Sequence, residues 1–177
     1  MRKVIARIVY SLIVMASVFG VVAAVAVPAM ASTMRGYECE VSHPVCIGAP
    51  NLAWGSTVVE TSSGRKLDIT PTPDPVYANA YKLRITADTS KCLGVDTSSN
   101  SRVIIKTCSN TAIDWQRQQT GSGDNHRWMN IYESKSPGPW GGSQMCLTGY
   151  GSAGLSMFIN YCGSGIQVFD FSGVIIT

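Results

Sequence analysis

The chain has 177 residues, of which 14 are basic and 11 acidic, giving a formal net charge of +3. Three of the basic residues, Arg2, Lys3 and Arg7, precede a long apolar run, so the rest of the chain carries 11 charges of each sign. A near-neutral surface lacks the concentrated positive field that attracts nucleic acids and anionic membranes, which argues against both as partners.

The first 31 residues are typical of a secretory signal peptide. Basic residues lead into an apolar run over residues 8–27, followed by Pro28 and the small-residue pattern Ala29-Met30-Ala31. We expect cleavage after Ala31 and secretion of residues 32–177 as a single domain. An uncleaved membrane anchor is the alternative, because the run is about as long as a spanning helix. After cleavage no membrane association is expected.

Residues 32–177 predict an all-β fold. No stretch keeps a helical apolar period over three turns, whereas short Val, Ile, Tyr and Thr runs recur between clusters of Gly, Ser, Asn and Pro. The predicted strands are residues 56–60, 81–86, 103–107, 128–132, 155–161 and 167–172.

All six cysteines lie in the exported part: Cys39, Cys46, Cys92, Cys108, Cys146 and Cys162. An even number in an oxidising compartment predicts three disulfides. Zinc binding is not expected, because no cysteine pair has the short spacing of a zinc site and the only histidines are His43 and His126. We expect no metal and no other cofactor.

Two segments of the chain share one pattern. In each, two cysteines stand 16 positions apart and a large aromatic follows the second cysteine by seven positions. The copies are Cys92, Cys108 and Trp115, and Cys146, Cys162 and Phe169. One such unit cannot bury its apolar face alone, so the units must pack around a common axis with both aromatics in the core. This interpretation pairs Cys92 with Cys108 and Cys146 with Cys162, which leaves Cys39 for Cys46.

These segments resemble the ricin-type β-trefoil lectins, whose repeats show Cys-Leu-Asp-Val, a second cysteine and a closing Gln-x-Trp. Gln167-Val168-Phe169 is similar to the closing motif, and Asp114-Trp115 keeps only its aromatic. The likeness covers residues 81–172. It implies a disulfide-stabilised β-trefoil of three pseudo-repeats, with two at about 81–120 and 128–172 and an irregular one within 37–80.

The first repeat has two possible registers. Residues 63–69 resemble the family's Ser-Gly-Lys-Cys-Leu-Asp-Val with Lys66 at the cysteine position, and Asn79-Ala80-Tyr81 then serves as a shortened closing motif. Alternatively, Cys39, Cys46 and residues 51–54 form the first unit.

The resemblance implies sugar binding through an aspartate two positions after the first cysteine, an aromatic face, and an asparagine near the closing motif. That position holds Gly94 and Thr148 in the two secure repeats, so Asp68, two after Lys66, is the one matching carboxylate. Asp96 and Asn110 are candidates that have turn-forming alternatives. The predicted ligand-binding residues are Asp68, Asp96, Asn110, Trp140 and Tyr150, the last two as stacking aromatics.

We therefore expect a secreted, non-catalytic carbohydrate-binding module whose partner is a carbohydrate or cell-surface glycan. The missing aspartates favour an alternative, an extracellular protein-interaction or inhibitor protein on a trefoil scaffold that has lost sugar binding. A small secreted glycoside hydrolase is the third class, for which the sequence offers no catalytic motif. Oligomeric state is not addressed by the sequence.

Overall fold

The computed structural model describes residues 35–99, 101–135 and 142–172, so the predicted signal peptide and Trp140 lie outside the described residues. Almost all regular structure within these ranges is β, which confirms the predicted all-β class; the exception is one short helix, α1 (Ile131–Lys135). The strands are β1 (Gly36–Glu40), β2 (Cys46–Gly48), β3 (Val59–Thr61), β4 (Asp68–Pro73), β5 (Ala80–Ile85), β6 (Asp88–Val95), β7 (Val103–Thr107), β8 (Asp114–Gln119), β9 (His126–Asn130), β10 (Met145–Thr148), β11 (Phe158–Tyr161) and β12 (Phe169–Ser172).

Six of these strands close a barrel. The antiparallel pairs run β1–β4, β4–β5, β5–β8, β8–β9, β9–β12 and back from β12 to β1. The other six strands form three hairpins, β2–β3, β6–β7 and β10–β11. Every four consecutive strands are therefore one repeat, and the three repeats make a β-trefoil, as expected from the sequence.

The three hairpins meet at a threefold axis. The amide of Val58 donates to the carbonyl of Val103 (3.0 Å), Val103 to Met157 (3.1 Å), and Met157 back to Val58 (2.9 Å). This closed ring of backbone hydrogen bonds defines which residues of the three repeats are equivalent.

Three equivalent side chains plug the barrel: Ile69, Trp115 and Phe169. The backbone of each residue pairs with the first strand of its own repeat and with the first strand of the next repeat. Each side chain is completely buried. The indole Nε1 of Trp115 donates to the carbonyl of Leu93 (3.0 Å), so burying the ring leaves no donor unpaired. The predicted core positions of Trp115 and Phe169 are confirmed.

The structure settles the register of the first repeat. Cys46 is the equivalent of Cys92 and Cys146, because the three cysteines occupy the same position in the register of their hairpins. The register that places Lys66 at the cysteine position is wrong: residues 66–68 lead into β4, and Tyr81 lies in β5 of the second repeat. Trp54 is 63% exposed and does not plug the barrel.

All three predicted disulfides are present. Cys92–Cys108 and Cys146–Cys162 bridge within the hairpin units, and both have a sequence separation of 16. In the first repeat Ser63 takes the place of the second cysteine, and Cys46 bonds instead to Cys39, directly opposite on β1.

One predicted strand ends earlier than expected. The segment 128–132 leaves the sheet after Asn130, whose side-chain Oδ1 accepts a hydrogen bond from the amide of Glu133 (3.1 Å). Asparagine is a favourable residue before a helix for this reason, so α1 begins at Ile131.

We predict opposite results for two tryptophan truncations. Trp115→Ala should lower the free energy of unfolding by about 3–5 kcal/mol, because it empties the barrel plug. Trp54→Ala should change it by about 0.5 kcal/mol or less, because the side chain is mostly in solvent. Urea unfolding followed by circular dichroism measures both, and equal losses would contradict the assignment of the plug.

Candidate functional site

The position that carries an aspartate in the resembled family is closed in all three repeats. A Cβ on Gly94 lies 2.7 Å from Cδ of Lys106 and 2.9 Å from Cγ2 of Ile113. A Cβ on Gly48 lies 2.5 Å from a methyl carbon of Thr61. Neighbouring side chains therefore fill the space that a ligand-binding aspartate needs.

In the third repeat the closing glutamine seals this position. Nε2 of Gln167 donates to Oγ1 of Thr148 (2.8 Å) and to the carbonyl of Tyr161 (2.9 Å), while its Oε1 accepts from the amide of Gly163 (2.7 Å). Thr148 and Gln167 are both buried. Thr148 thus has a structural hydrogen-bonding role and does not present a polar group to solvent.

We predict that restoring the family's carboxylate does not restore a site. Gly94→Asp should lower the free energy of unfolding by about 1–3 kcal/mol through overpacking against Lys106 and Ile113, without creating sugar affinity. Gly121→Asp is the matched control, because a Cβ there meets no atom closer than 3.9 Å and its φ is not left-handed. Thermal unfolding and glycan binding compare the two, and a stable Gly94→Asp variant that binds sugar would contradict the closed-site account.

The structure places the predicted ligand-binding residues in separate regions. Asp68 lies on β4 in an ion pair with Arg35 (3.1 Å) and, after the change of register, no longer corresponds to the family's aspartate. Asp96 caps a turn, because its Oδ1 accepts from the amide (3.0 Å) and the hydroxyl (2.6 Å) of Ser98. Asn110 and Tyr150 line two different depressions, described below.

Asn110 belongs to a cleft of about 430 Å³ between the second and third repeats, here called the Tyr77 cleft. Tyr77 and Tyr132, which are 42% and 43% exposed, both line it. Nζ of Lys135 lies 4.8 Å from the centroid of the Tyr77 ring, a cation–π contact. The complete lining is Tyr77, Asn110, Thr111, Ala112, Asp114, Ile131, Tyr132 and Lys135.

A charge network beneath the cleft fixes the turn that carries Tyr77. Oδ1 of Asp74 accepts from the amides of Val76 (2.7 Å) and Tyr77 (3.0 Å), and its Oδ2 pairs with Nζ of Lys82 (2.5 Å). The same ammonium donates to Oδ1 of Asp114 (2.8 Å). Burial raises the pKa of Asp74, but Lys82 and the two amides outweigh it and lower that pKa to about 2. Lys82 therefore fixes the Asp114 carboxylate directly, and it fixes the turn of Tyr77 through Asp74.

A second network fixes the opposite wall. Nδ2 of Asn130 donates to the carbonyl of Ala112 (3.2 Å), while its Oδ1 caps α1, which carries Tyr132 and Lys135. Ala112 has a φ of 59°, a left-handed conformation that is uncommon for alanine and needs such support. One asparagine thus ties the 110–112 segment to the helix.

Sequence reasoning missed Tyr77, Asp114, Tyr132 and Lys135. Tyr132 fell inside the predicted strand 128–132, and Asp114 was considered only as a neighbour of the closing aromatic. A signal for Tyr77 existed, since an aromatic just after the Pro-rich segment 71–75 has little neighbouring chain to bury it.

The first repeat also buries carboxyl groups where the other repeats do not. Glu38 occupies the barrel position of Leu83 and Trp128, and its oxygens face Nε2 of His126 (3.1 Å) and Nε1 of Trp128 (3.1 Å). Burial raises the pKa of Glu38, although both neighbours oppose this effect. Glu38, His126 and Trp128 are all completely buried, so this cluster is part of the core.

Glu40 and Glu60 form a second buried pair. Burial, a hydrogen bond with Glu60 and the charge of Glu60 raise the pKa of Glu40 to about 9. Two carboxyl groups this close cannot both ionise readily, so Glu40 holds a proton at neutral pH.

Glu40 should make the stability fall as pH rises. Its pKa is raised in the folded state, so the stabilisation is complete below about pH 4.5, where the unfolded chain is also protonated, and declines as pH rises towards about 9. Glu40→Gln should flatten this dependence, gaining on the order of 4 kcal/mol over wild type between about pH 5 and about pH 8. Urea unfolding at several pH values measures the slope.

Asp88→Asn is the control for that series. Asp88 is partly exposed at the start of β6 and its pKa is lowered by hydrogen bonds from Ser90, so it stays ionised in both states throughout this range. Its removal should leave the slope unchanged. A Glu40→Gln slope equal to that of wild type would show that Glu40 is already ionised in the fold.

Among the described residues, no group of three or more His, Cys, Asp or Glu side chains is placed to hold a metal ion. In the same part of the chain, no helix has the length and apolar character needed to cross a membrane.

No protein-family model and no curated protein sequence matches the chain. Its backbone is similar to several solved structures. A designed three-fold symmetric protein, ThreeFoil, is 14% identical with a TM-score of 0.59, over 80% of this chain and 97% of that one. A mosquitocidal holotoxin is 13% identical with a TM-score of 0.61, over 82% of this chain but 17% of the toxin chain. A chicken interleukin-1 cavity mutant is 9% identical with a TM-score of 0.57, over 80% and 96%. At these identities the likeness shows the β-trefoil fold alone.

Proposed function

We propose that the protein is a secreted, non-catalytic carbohydrate-binding module that takes a sugar ring in the Tyr77 cleft. The observation that carries this proposal is the convergence of two half-exposed tyrosine rings with the polar side chains of Asn110 and Asp114 on one depression. A pyranose has an apolar face and a rim of hydroxyls, and such a site complements both.

Each lining group has a distinct role in the proposed complex. Tyr77 and Tyr132 cover the apolar face of the sugar. Lys82 occupies Oδ1 of Asp114, which leaves Oδ2 to accept from a ligand hydroxyl. The amide of Asn110 and the ammonium of Lys135 add donors at the rim. Because Asp74 and Asn130 fix the two walls, little conformational entropy is lost on binding.

The geometry around His43 argues against a Ser–His–Glu relay at this residue. Oγ of Ser42 (2.9 Å) and Oε2 of Glu40 (3.6 Å) both face the same ring nitrogen, Nδ1. A catalytic relay needs the two partners on different nitrogens. The three disulfides are compatible with the oxidising environment of secreted proteins.

An extracellular protein-interaction or inhibitor protein is the second candidate. It is favoured by the closure of the family's aspartate position at Gly48, Gly94 and Thr148. A glycan array separates the two candidates. Binding to no glycan at high protein concentration would leave the protein-interaction function ahead.

The cleft predicts which tyrosines matter. Tyr77→Ala and Tyr132→Ala should each weaken binding to the array's best glycan about tenfold, the equivalent of one lost stacking contact. Isothermal titration measures the affinities, and thermal unfolding establishes that both variants are folded.

Tyr37→Ala is the matched control. Tyr37 is 41% exposed and also lies beneath a lysine, with Nζ of Lys66 5.8 Å from its ring centroid, but it is not part of the cleft. Its loss should leave the affinity unchanged. Equal effects of all three substitutions would contradict a specific site in the Tyr77 cleft.

A further inference from the structure

Tyr150 lines a second depression, here called the Tyr150 groove, with a volume of about 420 Å³. It runs between the end of the loop before β7 and the tip of the third hairpin. The rings of Tyr150 and Phe158 lie 4.8 Å apart between centroids at an interplanar angle of 35°. Tyr150 is 57% exposed and Leu155 is 45% exposed, so the groove offers an apolar surface to solvent.

The two equivalent places in the other repeats lack this surface. Tyr150 stands four residues after the first cysteine of its repeat, where the first and second repeats have Pro50 and Asp96. Phe158 pairs across its hairpin with Thr148, and the equivalent partners of Gly48 and Gly94 are Val59 and Ile104. The aromatic pair is thus a local addition to one repeat and not a requirement of the trefoil.

A buried carboxylate anchors the Tyr150 turn. Oε1 of Glu60 accepts from the amides of Tyr150 (2.8 Å) and Gly151 (2.7 Å), and Glu60 is 1% exposed. At the equivalent positions the other repeats bury Ile105 and Ile159. Only Oε1 has hydrogen-bond partners, whereas Oε2 is buried without one. An ionisable group in place of isoleucine is costly under these conditions, so the anchor is maintained at the expense of stability.

The neighbouring glycines fit this anchor. A Cβ on Gly149 would overlap the carboxyl oxygens of Glu40 and Glu60, and a Cβ on Gly151 would lie 2.6 Å from the ring of His43. Gly151 also has a φ of 76°, in the left-handed region. The turn that presents Tyr150 is therefore built around the carboxyl pair.

We propose that the Tyr150 groove is a second, independent binding site, for an uncharged pyranose ring. The assignment of the ligand class rests on the proposed function, whereas the site rests on the aromatic pair and its anchor. Ser101, Arg102 and Ser156 line the groove and supply hydrogen-bonding groups. Two weak sites on one chain raise the avidity for a polymer that reaches both.

The charges near the groove favour a neutral ligand. The pKa of Asp96 is lowered chiefly by its hydrogen bonds from Ser98, and the positive charge of Arg102 lowers it further. The amide of Asp96 donates to the carbonyl of Arg102 (2.8 Å), so the two oppositely charged residues lie side by side at this rim. Such a pair donates to and accepts from hydroxyl groups without selecting an anion.

The test is an NMR titration of the full chain with ¹³C-labelled tyrosine rings, using a panel of uncharged methyl glycosides as probes. Tyr150→Phe assigns the Tyr150 signal. Tyr77 and Tyr132 report the Tyr77 cleft in the same spectrum, and Tyr37 serves as the reference. We expect the Tyr150 signal to shift with a saturating dependence on glycoside, and Tyr150→Ala to leave the shifts of Tyr77 and Tyr132 intact.

The two proposals fail separately in this experiment. A shift at Tyr77 and Tyr132 without one at Tyr150 overturns the second site and leaves the proposed function standing. A shift at Tyr150 alone supports the second site and contradicts the Tyr77 cleft. No shift at any of the three overturns both, and the same shift at Tyr37 as at Tyr150 overturns the groove as a specific site.

The anchor has its own test. Glu60→Ile installs the residue of the other repeats, and we expect the fold to be kept while affinity at Tyr150 falls about tenfold and its amide exchanges faster. Glu60→Gln retains the accepting oxygen and should hold the affinity within about threefold. Unchanged affinity and amide exchange in Glu60→Ile would contradict the positioning role; if that variant does not fold, Tyr150→Ala still tests the site.

Discussion

The packing of Ile69, Trp115 and Phe169 inside the closed barrel is the constraint on which the rest of the structure depends. Each side chain joins the first strands of two repeats, so no repeat buries its apolar face without its neighbours. The hydrogen-bond ring of Val58, Val103 and Met157 continues the same axis through the hairpins. The Tyr77 cleft lies between two repeats, and its walls stay in place because this core fixes the repeats to one another.

The departures from threefold symmetry indicate where the trefoil has been adapted. Burying a carboxyl group costs free energy that Leu83 or Ile105 does not cost at the equivalent positions of the second repeat. Two backbone amides offset part of that cost at Oε1 of Glu60 and fix the Tyr150 turn. Elsewhere a position is closed instead: Lys106 and Gln167 fill the places at which the resembled family binds sugar. The two proposed binding surfaces lie outside the family's aspartate positions, at places where such anchors exist.

The second and third repeats were predictable because their signals are local: the cysteine spacing and the closing aromatics stand at fixed distances along the chain. These signals predicted the disulfide pairing, and the resemblance to ricin-type lectins implied the trefoil class. The first repeat lacks both, since Ser63 replaces a cysteine and Ile69 replaces the aromatic, and the register based on Lys66 was wrong.

The Tyr77 cleft was not predictable, because residues 74–79, 110–114 and 131–135 converge only through the barrel. Of the five predicted ligand residues, Asn110 and Tyr150 line depressions. Asp68 is paired with Arg35, Asp96 caps a turn, and Trp140 lies outside the described residues.

A crystal structure of the protein soaked with a neutral oligosaccharide selected on the glycan array tests the central claim most directly. This account predicts electron density for sugar against Tyr77 and Tyr132, and against Tyr150 and Phe158. It predicts none beside Gly48 or Gly94, the equivalent positions of the other two repeats. Sugar bound at either glycine, with both depressions empty, would contradict it.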